Sequence, residues 1–124
     1  MKNKVKCTIW KREFDLNVVF QNFPGEEVTT NQEKISDSLE SFDFDRSLMK
    51  VKEYIMKWNS EDVDSPEINN IFKYVIPKSV LIPREDKKRV VALMCNYKFD
   101  MEHGMAIVFE NEELKEVGPQ DIIL

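Results

Sequence analysis

The chain has 124 residues, 42% of them hydrophobic, which suits a single domain over residues 1–124 with its own core and excludes wholesale disorder. Charged residues make up 33% and the formal net charge is −5, a balance that argues against nucleic acid as partner, because phosphates need clustered Lys and Arg. With 3 glycines and 1 histidine, the chain cannot build a phosphate-cradling loop, a dinucleotide fingerprint or a two-histidine metal site.

Residues 3–22 read as two half-buried strands. Val5, Cys7 and Ile9 alternate with Lys4, Lys6 and Thr8; Phe14, Leu16, Val18 and Phe20 alternate with Asp15, Asn17 and Gln21. The spacing predicts a hairpin that turns near Lys11–Glu13 and ends at Phe23-Pro24-Gly25. Residues 30–60 read as helical. Thr30 and Glu33 suit a capping box before Ile35, Leu39 and Phe42. Asp45 suits the cap of a second helix whose face carries Leu48, Val51, Ile55 and Trp58. Ser65-Pro66-Glu67 predicts a short third helix bearing Ile68, Ile71 and Phe72, which Pro77 stops.

From residue 75 the pattern returns to strands. Val80 and Ile82 precede Pro83, which predicts a short or edge strand. Val90 to Tyr97 is apolar on both faces and predicts a central strand; Met105 to Phe109 predicts another. Asn111-Glu112 is a tight turn into Leu114–Val117, Gly118-Pro119 is a further turn, and Ile122-Ile123-Leu124 follows. The expected fold is α+β: an antiparallel sheet with about three helices inserted between an N-terminal hairpin and C-terminal strands.

Catalytic chemistry finds little support. Asp100, Glu102 and His103 lie together, but neighbours in a strand or tight turn point to different sides, and a metal would need further ligands. No serine sits in a nucleophile elbow, and neither Cys7 nor Cys95 has a neighbouring His or basic motif. The two cysteines fit no metal spacing and are expected as reduced thiols. The oxygen-rich run Asp62–Asn70 lacks the glycine and terminal glutamate of a calcium loop. No cofactor is expected. With no secretory signal and no stretch of transmembrane length, the expected location is the cytoplasm, away from the membrane.

Binding has better support. Residues 1–12 carry Lys2, Lys4, Lys6, Lys11 and Arg12 and no acid, whereas 100–124 carry seven acids against Lys115. The acidity falls in two segments, one with Asp37, Glu40, Asp43 and Asp45, the other with Glu110, Glu112 and Glu113. Phe42, Phe44, Phe99 and Phe109 lie among them. Acids beside a partly exposed aromatic make a protein-binding surface, and these seven residues are the candidate contacts for a basic protein partner.

The stretch Phe99-Asp100-Met101-Glu102-His103-Gly104-Met105-Ala106-Ile107-Val108-Phe109, followed by Glu116-Val117-Gly118-Pro119-Gln120-Asp121, resembles the C-terminal signature of a widespread bacterial family. That signature runs aromatic-Asp-x-Glu-His-Gly-x-Gly-Val-x-Phe, a hairpin, then Glu-Val-Gly-x-Gln-Asp. Here Ala106 replaces the second glycine and Asn111-Glu112 replaces the usual Asn-Gly or Asp-Gly. Members of that family resemble the immunity proteins of contact-dependent growth inhibition and other polymorphic toxin systems. The resemblance implies a cytosolic inhibitor, monomeric or in a heterodimer with its toxin, that binds and blocks a toxin domain such as a nuclease. A regulatory or scaffold binding module is the alternative, and a metal-dependent enzyme the third reading. The motif residues Asp100, Glu102, His103, Gly104, Gly118 and Asp121 have a structural rationale as a turn–strand–turn unit, with Gly104 at positive φ.

Overall fold

The computed structural model describes residues 3–124; Lys2, counted in the basic N-terminal run, lies outside the described residues. Six strands form one sheet in the order of the chain: β1 (Lys4–Ile9), β2 (Arg12–Gln21), β3 (Val75–Pro83), β4 (Val90–Tyr97), β5 (Met105–Glu110) and β6 (Glu113–Gly118). Among the described residues two α-helices, α1 (Thr30–Ser38) and α2 (Leu48–Asn59), lie between β2 and β3. They cover one face of the sheet, where Ile35, Leu39, Val51 and Ile55 meet Val5, Leu16, Val80, Leu93, Ile107 and Phe109. A smaller cluster on the other face joins Leu81, Val90, Ala92, Met94, Ala106 and Val108, with Ile122 and Ile123 packed against it.

The predicted N-terminal hairpin forms, and its inward set is Val5, Cys7, Ile9, Leu16 and Val18. Its turn is Trp10-Lys11, at φ 52° and 71°. Two left-handed residues give the turn whose twist matches the strands, but each costs about 1–2 kcal/mol when it is not glycine. Burial offsets that cost. Trp10 is 6% exposed, its indole N–H donates to Ser47 Oγ at 3.2 Å, and its backbone N–H donates to the Asp45 carboxylate. Asp45 therefore serves the hairpin and does not cap α2, whose N-cap, Ser47, makes no side-chain cap bond.

The sheet corrects the expected antiparallel arrangement: β2 and β3 run parallel, from Asn17↔Ser79 to Gln21↔Pro83, while the other pairs are antiparallel. A parallel pair needs a long crossover, and the helical segment supplies it. The segment at Val80–Pro83, expected short or at an edge, is the end of the nine-residue β3 between β2 and β4. Pro77 lies in that strand rather than ending a helix, next to a bulge where the register with β4 shifts between Pro77 and Ser79. Pro83 falls at the last position of the strand, where a missing N–H is tolerated.

The third helix is also corrected. After Ser65-Pro66 the backbone turns at Ile68, φ 48°, which breaks any helix before a turn is complete. Only a 3-10 turn, Ile71–Lys73, follows, capped by Asn70. Ile68 and Ile71 are drawn into the core instead, at 2% and 6% exposure. The C-terminal Ile122 likewise belongs to a 3-10 turn, Gln120–Ile122.

The capping box of α1 sits one residue before its expected place, on Thr29 and Gln32. Gln32 is fully buried. Its Oε1 accepts from Thr29 N–H at 2.9 Å, and its Nε2 donates to the Ile82 carbonyl at 3.0 Å and the Gln21 carbonyl at 3.4 Å. One amide thus ties α1 to the ends of both parallel strands. Gln32→Ala leaves the buried Ile82 carbonyl and the part-buried Thr29 N–H without these partners. We predict a loss of about 2–4 kcal/mol, read as a lower urea midpoint at unchanged m-value.

Candidate protein-binding surface

The two acidic segments, far apart in sequence, meet in the fold. Glu40 leaves the 3-10 turn after α1, Asp43 and Asp45 precede α2, and Glu112 sits in the β5–β6 turn. Two neighbouring depressions share the wall Ser41–Phe42–Asp43. The larger, about 460 Å³, is bordered by Glu13, Glu40, Asp43 and Asp45, with Lys6 and Thr8 on the β1 edge. The smaller, about 230 Å³, lies between Ser38, Asp43, Arg46 and Glu112. Phe42 lines both. It is half-buried, tilted against Phe44 at 4.7 Å and edge-on to Phe109 at 5.1 Å, so an aromatic ring sits in an acidic rim.

Two arginines join the segments. Arg46 donates to the Glu112 carbonyl at 2.7 Å and lies 3.6 Å from the Asp43 carboxylate. Arg89 pairs with the Glu112 carboxylate at 2.9 Å and donates to Ser38 Oγ at 2.9 Å. The turn that Glu112 occupies, Asn111-Glu112 at φ 52° and 72°, is the tight turn expected from sequence, and Asn111 Oδ1 accepts from Arg89 N–H at 3.0 Å. Neither arginine, nor Glu13, was legible as part of the surface, because their partners are distant in the chain.

The remaining candidates divide. Asp37 is exposed on α1. Glu110 is held by two ammonium groups, Lys115 at 2.7 Å and Lys88 at 3.2 Å, and the hydrogen bond from Lys115, then that from Lys88, lowers its pKa. Glu113 faces it across the hairpin and is exposed. Glu110 and Glu113 thus flank the turn that carries Glu112 and line neither Phe42 depression.

The signature residues form a folding unit. Asp100 caps the turn after β4: its carboxylate accepts from His103 N–H at 3.1 Å and faces His103 Nδ1 at 3.1 Å. Gly104, at φ 61°, follows. Gln120 lies against it, its N–H donating to the His103 carbonyl at 3.0 Å and its Nε2 to the Cys95 carbonyl at 3.1 Å. A Cβ on Gly104 would stand 2.6 Å from Gln120 Nε2 and 2.7 Å from the Cys95 carbonyl oxygen. At Gly118 the fit is tight without overlap: a Cβ there would meet the Ile122 side chain at 3.2 Å. The two halves of the signature therefore meet at Gly104 and Gln120. Glu102 and Asp121 are exposed beside them.

Reactive groups are subdued. Cys7 and Cys95 are buried free thiols; burial, and then Glu40, pushes Cys7 up to about 11, and burial raises Cys95 further. At neutral pH both are thiols, and the thiolate is the nucleophile. Among the described residues no group of three His, Cys, Asp or Glu side chains is placed to hold a metal ion. Among the same residues no helix is long and apolar enough to cross a membrane.

A family model described as a domain of unknown function, DUF6985, matches residues 1–124. The chain belongs to that family. The match spans the whole sequence, from the hairpin to the turn after β6. No curated protein and no solved structure matches the chain.

Two measurements test the signature unit. Gly104→Ala forces a left-handed alanine against the Gln120 amide, with an expected cost of about 2–4 kcal/mol in chemical denaturation. A loss under about 0.5 kcal/mol, the ordinary scatter for surface substitutions, would mean that Gln120 does not close on Gly104. The second reads His103. The hydrogen bond that the His103 ring donates to the Asp100 carboxylate raises the histidine's pKa above the usual 6.5, and the His103 backbone N–H lowers that of Asp100. The histidine's contribution is complete below its ordinary value and is lost as pH rises through the raised one. The aspartate's is complete above its ordinary value and is lost as pH falls through the lowered one. The pair is therefore fully formed between those limits. In Asp100→Asn, the NMR titration midpoint of His103 should fall; an unmoved midpoint would show that the contact is not made.

Proposed function

We propose that the protein is an immunity-type inhibitor that binds a cognate toxin domain stoichiometrically through the acidic wall around Phe42. The observation that carries this reading is the convergence of Glu13, Glu40, Asp43 and Glu112 around a half-buried aromatic ring. A desolvated aromatic inside a charged rim is the usual build of a binding hot spot. The acids set the partner's character, since complementary fields speed encounter and reject wrong partners. A basic cleft, such as one that accepts a phosphate backbone, matches this rim. The resemblance of the C-terminal signature to immunity proteins supplies the class of partner.

Arg46 and Arg89 hold the two acidic segments in register. A pre-assembled rim loses less side-chain freedom on binding than one formed at the moment of contact. The proposed contacts are Asp37, Glu40, Asp43 and Glu112 with Phe42, and Asp45 acts by fixing the Trp10 turn beneath them. Glu110 and Glu113 extend the surface past the hairpin.

The test is co-expression with the protein encoded beside it, followed by purification of the pair. A one-to-one complex and protection of the host are expected. The double reversal Glu40→Lys with Asp43→Lys should weaken binding roughly tenfold at low salt, with the difference shrinking as salt screens the rim. Protection without any physical complex would sink the reading. A complex without protection would favour a regulatory module.

A further inference from the structure

At the opposite end of the sheet from β1, β6 has a free edge beside a groove of about 490 Å³ between this strand and α2. The groove is floored by Tyr54, Leu114 and Val117 and overhung by Trp58, which is 63% exposed. We propose that this edge pairs with the β6 edge of a second copy of the chain, forming a two-fold dimer with one continuous sheet.

The argument is the symmetry of the strand itself. Glu110 and Glu113 close a two-residue turn, so they face each other as a hydrogen-bonded pair. The ladder then alternates. Leu114, opposite Phe109, and Val117, opposite Ile107, are the positions whose N–H and C=O groups turn away from β5. Between them the register with β5 shifts, leaving Lys115 as the extra residue of a bulge. The bulge puts Leu114 and Val117 on the same face, both against the main core. Lys115, which reaches Glu110, and Glu116, which pairs with Val108, share the other face.

The order apolar, charged, charged, apolar reads the same in both directions, with the sign of the charge reversed. Antiparallel pairing about an axis between Lys115 and Glu116 sets Leu114 opposite the second copy's Val117, and Val117 opposite its Leu114. Both are outward-bonding positions, so each pair can exchange two backbone hydrogen bonds. The same axis sets Lys115 opposite the second copy's Glu116, twice. Apolar residues thus meet apolar residues on the helix face and opposite charges meet on the other, without shifting the register. The axis also brings the two α2 helices side by side on one face, where each Trp58 closes over the paired Leu114 and Val117. Bulges and charges on an edge ordinarily discourage pairing. Here both copies carry the bulge at the same step, and the charges attract.

The experiment is sedimentation of the full chain over a wide concentration range, compared with two variants. The wild-type chain should shift from monomer to dimer. Lys115→Glu puts like charges opposite each other twice and should raise the dimer dissociation constant about tenfold or more. The swap Lys115→Glu with Glu116→Lys restores both attractions and should return the constant to near the wild-type value. A folding defect would not be rescued in this way. A wild-type chain that stays monomeric at every concentration overturns the proposal, as does a dimer that neither variant changes. The readout is independent of any toxin partner, so it stands or falls apart from the proposed function.

Discussion

The parallel pairing of β2 and β3 is the constraint on which the rest of the structure depends. It forces the chain to leave the sheet at Gln21, cross one face and re-enter at Val75. Most of what packs on the covered face, including α1, α2 and the loop holding Asp43, lies inside that crossing. The Gln32 amide sits where the crossing begins and bonds both strand ends. A buried amide whose polar atoms are all matched defines a position far more narrowly than an apolar contact of similar size would. The acidic loop after α1 then falls beside β1, next to Lys6 and Thr8.

Much of this was readable in the residues, and the limits have physical causes. The β1–β2 hairpin, β4, β5 and the Asn111-Glu112 turn follow period-two patterns and local turn chemistry, which short windows of sequence record directly. The parallel pairing is different. It joins two strands separated by the whole helical crossover, and no local pattern carries that. Pro77 and Pro83 gave the wrong impression of β3, because a bulge and a strand terminus absorb them. At Ser65-Pro66 a good cap-and-proline signal was overridden when burial of Ile68 and Ile71 proved worth more than a short helix. For the surface, the acids themselves were legible. The arginines that join them were not, since Arg46 and Arg89 earn their place only through contacts across the fold.

The charge of the molecule is accordingly less simple than −5 suggests. Glu110 is committed to two lysines, while the rim around Phe42 keeps acids from several elements together and holds Glu13, Asp43 and Glu112 with basic partners of its own. Exposed ion pairs of this kind contribute little to stability. Their effect is geometric: they hold the β5–β6 turn against the segment before α2. The surface and the signature unit at Gly104 are built from different contacts, so the sequence motif that marks this family resemblance maintains the sheet end rather than the acidic rim.

The chain has 2 tryptophans, and the fold places them in opposite surroundings. Trp10, in the hairpin turn itself, is buried with its indole bonded, whereas Trp58 stands in solvent over the β6 groove. Their emission should be separable. The buried indole reports on whether the domain is intact, and a water-soluble quencher should reach only the exposed one. Intrinsic fluorescence can therefore watch the groove and the integrity of the fold in a single unlabelled sample.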